Sequence, residues 1–149
     1  MKYLSGLHAL NVQMPDTDGD WHQMALNWDD LPMSESDGSP LGDWGIRRAL
    51  VPHNGSMLVA SHPRACLDLA LKGEFGNACG MRRDFVNNES LTPEILSQAW
   101  HAWAVMGRPA QFDKFMGREY AMDWLREKKA HDDKYSQRLC IAHGTQTII

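Results

Sequence analysis

Three side chains near the amino terminus have the types that bind a transition metal, namely His8, Asp20 and His22. If residues 20–22 form a strand, Asp20 and His22 lie on the same side of it, because side chains alternate across a strand. With His8 from a neighbouring strand, they would supply two imidazoles and one carboxylate, a ligand set found in non-haem iron sites. This spacing predicts a small metal-dependent enzyme as an alternative. We favour the simpler interpretation that the three are polar turn and surface residues.

The remaining candidates for catalysis do not complete a motif. The seven histidines contain neither H-x-H nor H-E-x-x-H, and no serine lies in a G-x-S-x-G sequence. Cys66 and Cys79 fall on apolar faces of predicted helices, where a cysteine usually behaves as a small core residue. Residues 42–45 are not followed by the Lys-Ser/Thr pair of a phosphate loop. We therefore predict no catalytic residue, no bound metal and no cofactor.

Charge is distributed unevenly along the chain. Residues 1–45 carry eight acidic residues and one base, Lys2, whereas residues 46–149 carry 14 bases and 11 acids, so a net charge of −7 is followed by one of +3. An acidic region repels nucleic acid and attracts a basic protein. The later basic pairs Arg47–Arg48 and Arg82–Arg83 are interpreted as solvated or ion-paired. We expect a protein partner and no direct contact with nucleic acid.

Tryptophans accompany the acidic residues. Gly-Asp-Trp occurs at residues 19–21 and again at 42–44. The favoured interpretation is a turn that leads into a strand with the indole packed inward, and the functional interpretation is a pair of exposed anchors. Because Lys2 is the only base before residue 46, we expect most of the carboxylates to face solvent. The predicted partner-binding residues are Asp16, Asp18, Asp20, Trp21, Trp28, Asp29, Asp30, Asp43 and Trp44.

The pattern of elements that must position these residues predicts an α+β fold. We expect a small N-terminal β sheet with loops, packed against a C-terminal bundle of about four helices. One domain is predicted over residues 1–149, β-rich over 1–60 and helical over 61–130, with a tail over 131–149. The expected strands are 4–13, 43–51 and 56–60, the last two joined by an Asn-Gly turn. Residues 21–28 fit a strand or a short helix, residues 29–42 a long loop, and residues 139–142 a late strand or a mobile tail.

Capping residues define the predicted helices. Ser61 is a favoured N-cap, Pro63 suits the first turn, and Gly73 is an expected C-terminal stop. Thr92 and Pro93 mark another start in the same way. The predicted helices cover residues 61–73, 76–86, 92–107 and 109–130. Trp100, Trp103 and Trp124 fall on the apolar faces of the last two helices, and we predict that all three are buried between them.

The spacing of the cysteines and the first residues of the chain indicate the cellular compartment. Three widely spaced cysteines, Cys66, Cys79 and Cys140, do not indicate a disulfide framework or a zinc ribbon. The first residues lack the apolar stretch of a signal peptide, and no run approaches the roughly 18 apolar residues needed to cross a membrane. These features predict a cytoplasmic protein without membrane association.

The segment Val59–Leu69 resembles a motif of AbiEi-type antitoxins. In that family a strand and a small residue are followed by Pro-x-Arg/Lys-Ala-x-Leu-Asp at the start of a helix, and Pro63, Arg64, Ala65, Leu67 and Asp68 supply these residue types in the same order. Cys66 replaces the usual Leu, and no winged-helix domain fits ahead of residue 57. Leu67 and Leu69 point to different helix faces, so we expect both sides of this helix to be covered.

The resemblance implies a bacterial antitoxin, a non-enzymatic protein-binding module that neutralises a nucleotidyltransferase-like toxin. The acidic N-terminal region fits a basic toxin or nuclease as the partner. A further alternative is a phage-type counter-defence inhibitor whose acidic face mimics nucleic acid. In that case, binding to a basic nuclease would weaken steeply with salt.

Overall fold

The computed structural model describes residues 1–22 and 25–143 and has the α+β fold that the sequence predicts. Its four strands form one sheet in the order β2-β1-β4-β3. β1 and β4 are parallel neighbours, and the other two pairs are antiparallel. The strands are β1 (Lys2–Leu4), β2 (Met33–Glu35), β3 (Ile46–Val51) and β4 (Gly55–Ala60).

The β3–β4 hairpin confirms one of the predicted turns. The strands pair from Ile46 with Ala60 to Val51 with Gly55, and residues 52–54 form the loop between them. Gly55 has a φ of 74°, a left-handed conformation that glycine adopts without steric cost. β3 begins three residues later than predicted, because residues 41–45 form turns that bring the chain to the sheet edge.

The predicted strand over residues 4–13 is wrong. β1 ends at Leu4, and the short helix α1 (Gly6–Leu10) follows at once. Gly6 has a φ of 67°, which ends the strand, and the buried Ala9 and Leu10 then pack the helix against the core. The predicted loop over residues 29–42 contains β2. Its three residues pair with β1 through the backbone while their side chains stay largely at the surface, so no apolar pattern marked it.

α2 (His62–Leu71) lies at the centre of the molecule. The Ser61 hydroxyl accepts a hydrogen bond from the Arg64 backbone N–H at 3.3 Å, and Pro63 occupies the first turn, as predicted. Every residue from 62 to 70 is buried. This burial confirms the expectation that both sides of the helix are covered.

The helix predicted over residues 76–86 is divided in two. α3 (Phe75–Ala78) is a single turn, and a π-helical segment (Met81–Val86) follows it. Gly80 separates them with a φ of 93°, and a Cβ placed there would lie 2.6 Å from an Asp84 carboxylate oxygen. Only glycine therefore fits at this break. Cys79, predicted on an apolar face, is exposed.

Two long helices complete the chain, α4 (Thr92–Val105) and α5 (Ala110–His143). Ala121 has a non-helical backbone, with φ 49° and ψ −125°, so α5 consists of two helical segments joined at a kink. α5 continues well past residue 130, and the late strand considered for residues 139–142 is wrong, because these residues are helical. Short apolar runs do not distinguish a strand from a helix by periodicity. Residues 144–149 lie outside the described part.

One hydrophobic core joins the sheet to the helices. Trp103 and Trp124 are buried in it as predicted, with ring centroids 5.7 Å apart in an edge-to-face arrangement. Trp100 is only partly buried, and its indole stacks on the His131 ring at 3.8 Å. In residues 1–22 and 25–143, no helix has the length and apolar character to span a membrane.

Candidate functional site: an anchored acidic loop

Residues 16–22, named the acidic loop from here on, bring four of the predicted partner-binding residues together. Its backbone is fixed at three closely spaced N–H groups. The N–H of Gly19 donates to the Phe85 carbonyl, and the N–H of Asp20 donates to the Leu10 carbonyl, both at 2.7 Å. The N–H of His22 donates to the Asn11 side-chain oxygen at 2.7 Å. The loop is thus attached to the end of α1 and to the π-helical segment.

The carboxylates at the start of the loop have partners of their own. Asp16 accepts a hydrogen bond from Arg47 at 3.3 Å, and its backbone carbonyl accepts one from the Asn88 side chain at 2.9 Å. The exposed Asp18 accepts from the Asn87 amide at 2.9 Å. The expectation that these carboxylates face solvent therefore holds better for Asp18 than for Asp16, which is half-buried.

A buried histidine lies beneath the loop. His62 is fully buried, its Nε2 lies 2.8 Å from the Val12 carbonyl oxygen, and its Nδ1 lies 2.5 Å from the Thr17 hydroxyl. A carbonyl only accepts, so Nε2 carries the proton and Nδ1 accepts from Thr17. This arrangement uses the neutral imidazole, and burial lowers the pKa of His62 below its ordinary value of 6.5. A Cβ on Gly19 would lie 2.6 Å from this ring, so glycine is required above it.

Acidification is expected to destabilise the protein through His62. Because its pKa is lower in the folded than in the unfolded chain, the unfolded chain binds more protons below about pH 6.5. The stability that the neutral ring provides is therefore present above about pH 6.5 and is lost as the pH falls towards the folded-state pKa. The melting temperature, measured from about pH 7.5 to 5.5, should fall less steeply for His62→Gln than for the wild type. If the melting temperatures of the wild type and His62→Gln fell in parallel with pH, His62 would have the same pKa in the folded and the unfolded chain.

The indole of Trp21 projects from the anchored loop. Its side chain is 70% exposed, whereas the backbone on both sides of it is fixed by the hydrogen bonds of Asp20 and His22. The Asp20 carboxylate accepts from the Trp21 N–H at 2.8 Å and also contacts the His22 ring. The loop therefore presents a large apolar side chain, next to the Asp20 carboxylate, in a preset position.

The other predicted partner-binding residues lie elsewhere in the fold. Asp29 is exposed beside His53 at the β3–β4 turn, with its carboxylate 3.4 Å from the imidazole Nδ1. Trp28 is 6% exposed and belongs to the core, so it is not available to contact a partner as predicted. Trp44 is half-buried and donates to Glu94 of α4 at 3.3 Å. Asp30 and Asp43 are exposed.

The alternative metal site does not assemble. Asp20 and His22 contact each other, but the His8 Nε2 lies 2.9 Å from the Asn27 carbonyl and its ring packs edge-on against Trp28. Within the described ranges, no group of three or more His, Cys, Asp or Glu side chains is placed to hold a metal ion. His8 therefore does not join the pair as the sequence hypothesis required.

The polar centre of the fold is a cluster that the sequence analysis did not foresee. Arg64 and Asp68 form a buried ion pair one helical turn apart, with Nε and Oδ1 separated by 2.9 Å. The hydroxyls of Tyr3 and Ser5 both donate to the other Asp68 oxygen at 2.6 Å. Burial raises the pKa of Tyr3 to about 12, so its hydroxyl stays a donor. The sequence contained one indication of this cluster, because Arg64 and Asp68 stand four residues apart in an otherwise apolar helix, a spacing that allows an ion pair.

Arg64 extends this cluster to the segment before β3. Its guanidinium donates to the carbonyl of Gly42 at 2.7 Å and to that of Trp44 at 2.6 Å. Gly45 packs against Arg64 as well, since a Cβ there would lie 2.7 Å from the arginine Cβ. The pair thus ties β1, α2 and residues 42–45 together, and its role is to support the fold, because both side chains are buried.

Comparisons of the chain with protein-family models, with curated proteins and with solved structures find no match. Among the described residues, the acidic loop combines a fixed backbone, carboxylates and the most exposed tryptophan side chain.

Proposed function

We propose that this chain is a non-enzymatic protein-binding module whose acidic loop binds a basic partner. The observation that carries the proposal is Trp21, which is 70% exposed on a backbone held at both neighbouring residues. Tryptophan is enriched among the residues that dominate binding energy at protein interfaces. A pocket on the partner that covers this indole would desolvate a large apolar area at little cost in ordering the loop.

Charge supports a basic partner. Residues 1–45 carry a net charge of −7, and Asp18, Asp29 and Asp30 are exposed. Such a field accelerates encounter with a positively charged surface and affects the association rate more than the affinity. The preset loop adds to this effect, because a partner need not wait for it to order.

The partner we propose is a toxin that this chain neutralises. The support is the likeness of Val59–Leu69 to the AbiEi-type antitoxin motif, whose partners are nucleotidyltransferase-like toxins. In the counter-defence alternative, the partner is a basic nuclease, and it would bind the same acidic loop. Coexpression with the adjacent gene, followed by co-purification and a growth-rescue assay, tests the toxin proposal. A chain that purifies alone and rescues no toxicity would overturn it.

Replacing Trp21 with alanine is expected to raise the dissociation constant of the co-purified partner by about 30-fold, the effect of losing roughly 2 kcal/mol at a binding hot spot. The melting temperature should stay unchanged, because the indole is exposed. Isothermal titration calorimetry measures the first quantity and differential scanning calorimetry the second. Met122→Ala, which also removes an exposed apolar side chain but on α5, is the matched control and should bind like the wild type.

A charge-reversed variant separates the electrostatic contribution from the indole. With Asp18, Asp29 and Asp30 all changed to Lys, association should slow in low salt while dissociation changes little. Asp16 is left intact because its carboxylate pairs with Arg47. If the triple variant associates at the wild-type rate and Trp21→Ala binds with wild-type affinity, the acidic loop and the carboxylates of Asp29 and Asp30 are solvated surfaces and the interface lies elsewhere.

A further inference from the structure

β3 leaves one row of backbone groups free at the edge of the sheet. The Ser61 N–H donates to the Gly45 carbonyl at 2.6 Å, which makes residues 45 and 61 a hydrogen-bonded pair. The register continues without interruption to Val51 and Gly55, and antiparallel pairs alternate in type. The N–H and C=O groups of Arg48 and Leu50 therefore point away from β4. No backbone group in the described ranges hydrogen-bonds to them.

A groove runs along this free edge. Its volume is about 490 Å³, and it is lined by the consecutive residues 47–50 on one side and 13–15 on the other. Consecutive side chains of a strand point to opposite faces. A groove lined by four of them in a row therefore lies at the edge of the sheet, where an added strand would lie about 4.8 Å from β3.

The chemistry of the groove selects an acidic occupant. Arg48 is exposed and has no ion-pair partner among the described side chains, and Arg47 has Asp16 at 3.3 Å as its salt-bridge partner. Leu50 is 76% exposed at the end of the strand, and Met14 lies in the facing wall. We propose that the free edge of β3 binds an extended acidic peptide segment of a partner protein by strand addition.

A second copy of this chain is the less favourable occupant. Antiparallel pairing of two β3 strands in a register centred on residues 47–48 would bring Arg47 and Arg48 of both copies together, and like charges across a strand pair are destabilising. Exposed charges on edge strands disfavour this kind of self-pairing in general. An acidic segment gains the same backbone hydrogen bonds and supplies a carboxylate partner for Arg48. This surface adjoins the acidic loop through the Arg47–Asp16 pair but differs from it in charge and in mode of binding, so its test does not require the proposed function to hold.

The test uses the full chain and a fluorescein-labelled peptide of about eight residues in which Val and Glu alternate, a length and pattern suited to one strand. Saturable binding is expected, together with a specific change in amide hydrogen exchange. The amides of Arg48 and Leu50 should exchange rapidly in the free protein and at least about 10-fold more slowly with peptide bound. The amides of Arg47 and Ala49, which face β4, should be protected in both states. Unchanged exchange at Arg48 and Leu50 would overturn the proposal.

Two variants strengthen the test. Leu50→Pro removes an outward N–H that β4 does not use, and Arg48→Glu reverses the unpaired charge. Each should weaken peptide binding about 10-fold, and Arg48→Glu should favour a Val-Lys peptide instead. Trp21→Ala should bind the peptide like the wild type, which separates this site from the acidic loop. Equal affinity in all variants would overturn the proposal, as would a concentration-dependent dimer that Leu50→Pro abolishes.

Discussion

Replacing Asp68 with alanine is expected to lower the free energy of unfolding by about 3–5 kcal/mol, the usual cost of removing one partner from a buried ion pair. Arg64 is fully buried, so its guanidinium would remain charged without a counterion. The hydroxyls of Tyr3 and Ser5 would also lose the carboxylate oxygen to which both donate. Urea denaturation followed by circular dichroism measures the loss, with the slope expected to stay constant.

The matched control is Asp29→Ala, which removes an exposed carboxylate and should leave the free energy of unfolding nearly unchanged. A double-mutant cycle with Arg64→Met should give a coupling energy of about 1–3 kcal/mol between Arg64 and Asp68. The double variant should not regain full stability, because the carbonyls of Gly42 and Trp44 lose their donor. If Asp68→Ala behaves like the control, the pair does not hold β1 to α2.

The elements that could be predicted from the sequence are those whose ends carry local signals. Ser61 and Pro63 begin α2 where expected, since a cap acts through the backbone of its own first turn. The Asn-Gly turn before β4 is equally local, because glycine permits the positive φ that the hairpin requires. Neither signal depends on distant parts of the chain.

The elements that the sequence did not reveal depend on distant partners. β2 exists because its backbone pairs with β1, more than 25 residues earlier in the chain, and its own side chains are largely exposed. α1 was mistaken for a strand because its five residues are too few to show a helical period. The break at Gly80 coincides with a φ of 93°, a backbone angle that the helical pattern around it does not indicate.

The candidate site shows the same limit. Counting charges located the acidic residues, but the contacts that fix the loop join Thr17 to His62 and Gly19 to Phe85, across 45 and 66 residues of chain. Trp21 and Trp28 were both predicted to bind a partner, and yet one is exposed and the other is in the core. Burial depends on the whole fold, and only the structure separates the two.

Trp124 is the aromatic residue whose removal should cost most. It is fully buried, its Nε1 donates to Asp113 at 2.7 Å, and its ring packs edge-on against Trp103. Trp124→Ala is therefore expected to lower the free energy of unfolding by about 3–5 kcal/mol, through lost apolar burial and the cavity left behind. Urea denaturation of purified variants measures this difference.

Trp100→Ala provides the internal comparison, because the sequence placed both indoles in the core. Trp100 is only partly buried, and one face of its ring stacks on His131 at 3.8 Å. Its replacement should cost about 1–2 kcal/mol, within the range of ordinary single substitutions. If Trp100→Ala and Trp124→Ala lowered the free energy of unfolding equally, both indoles would be buried to the same extent between α4 and α5. That result would contradict the partial burial of Trp100.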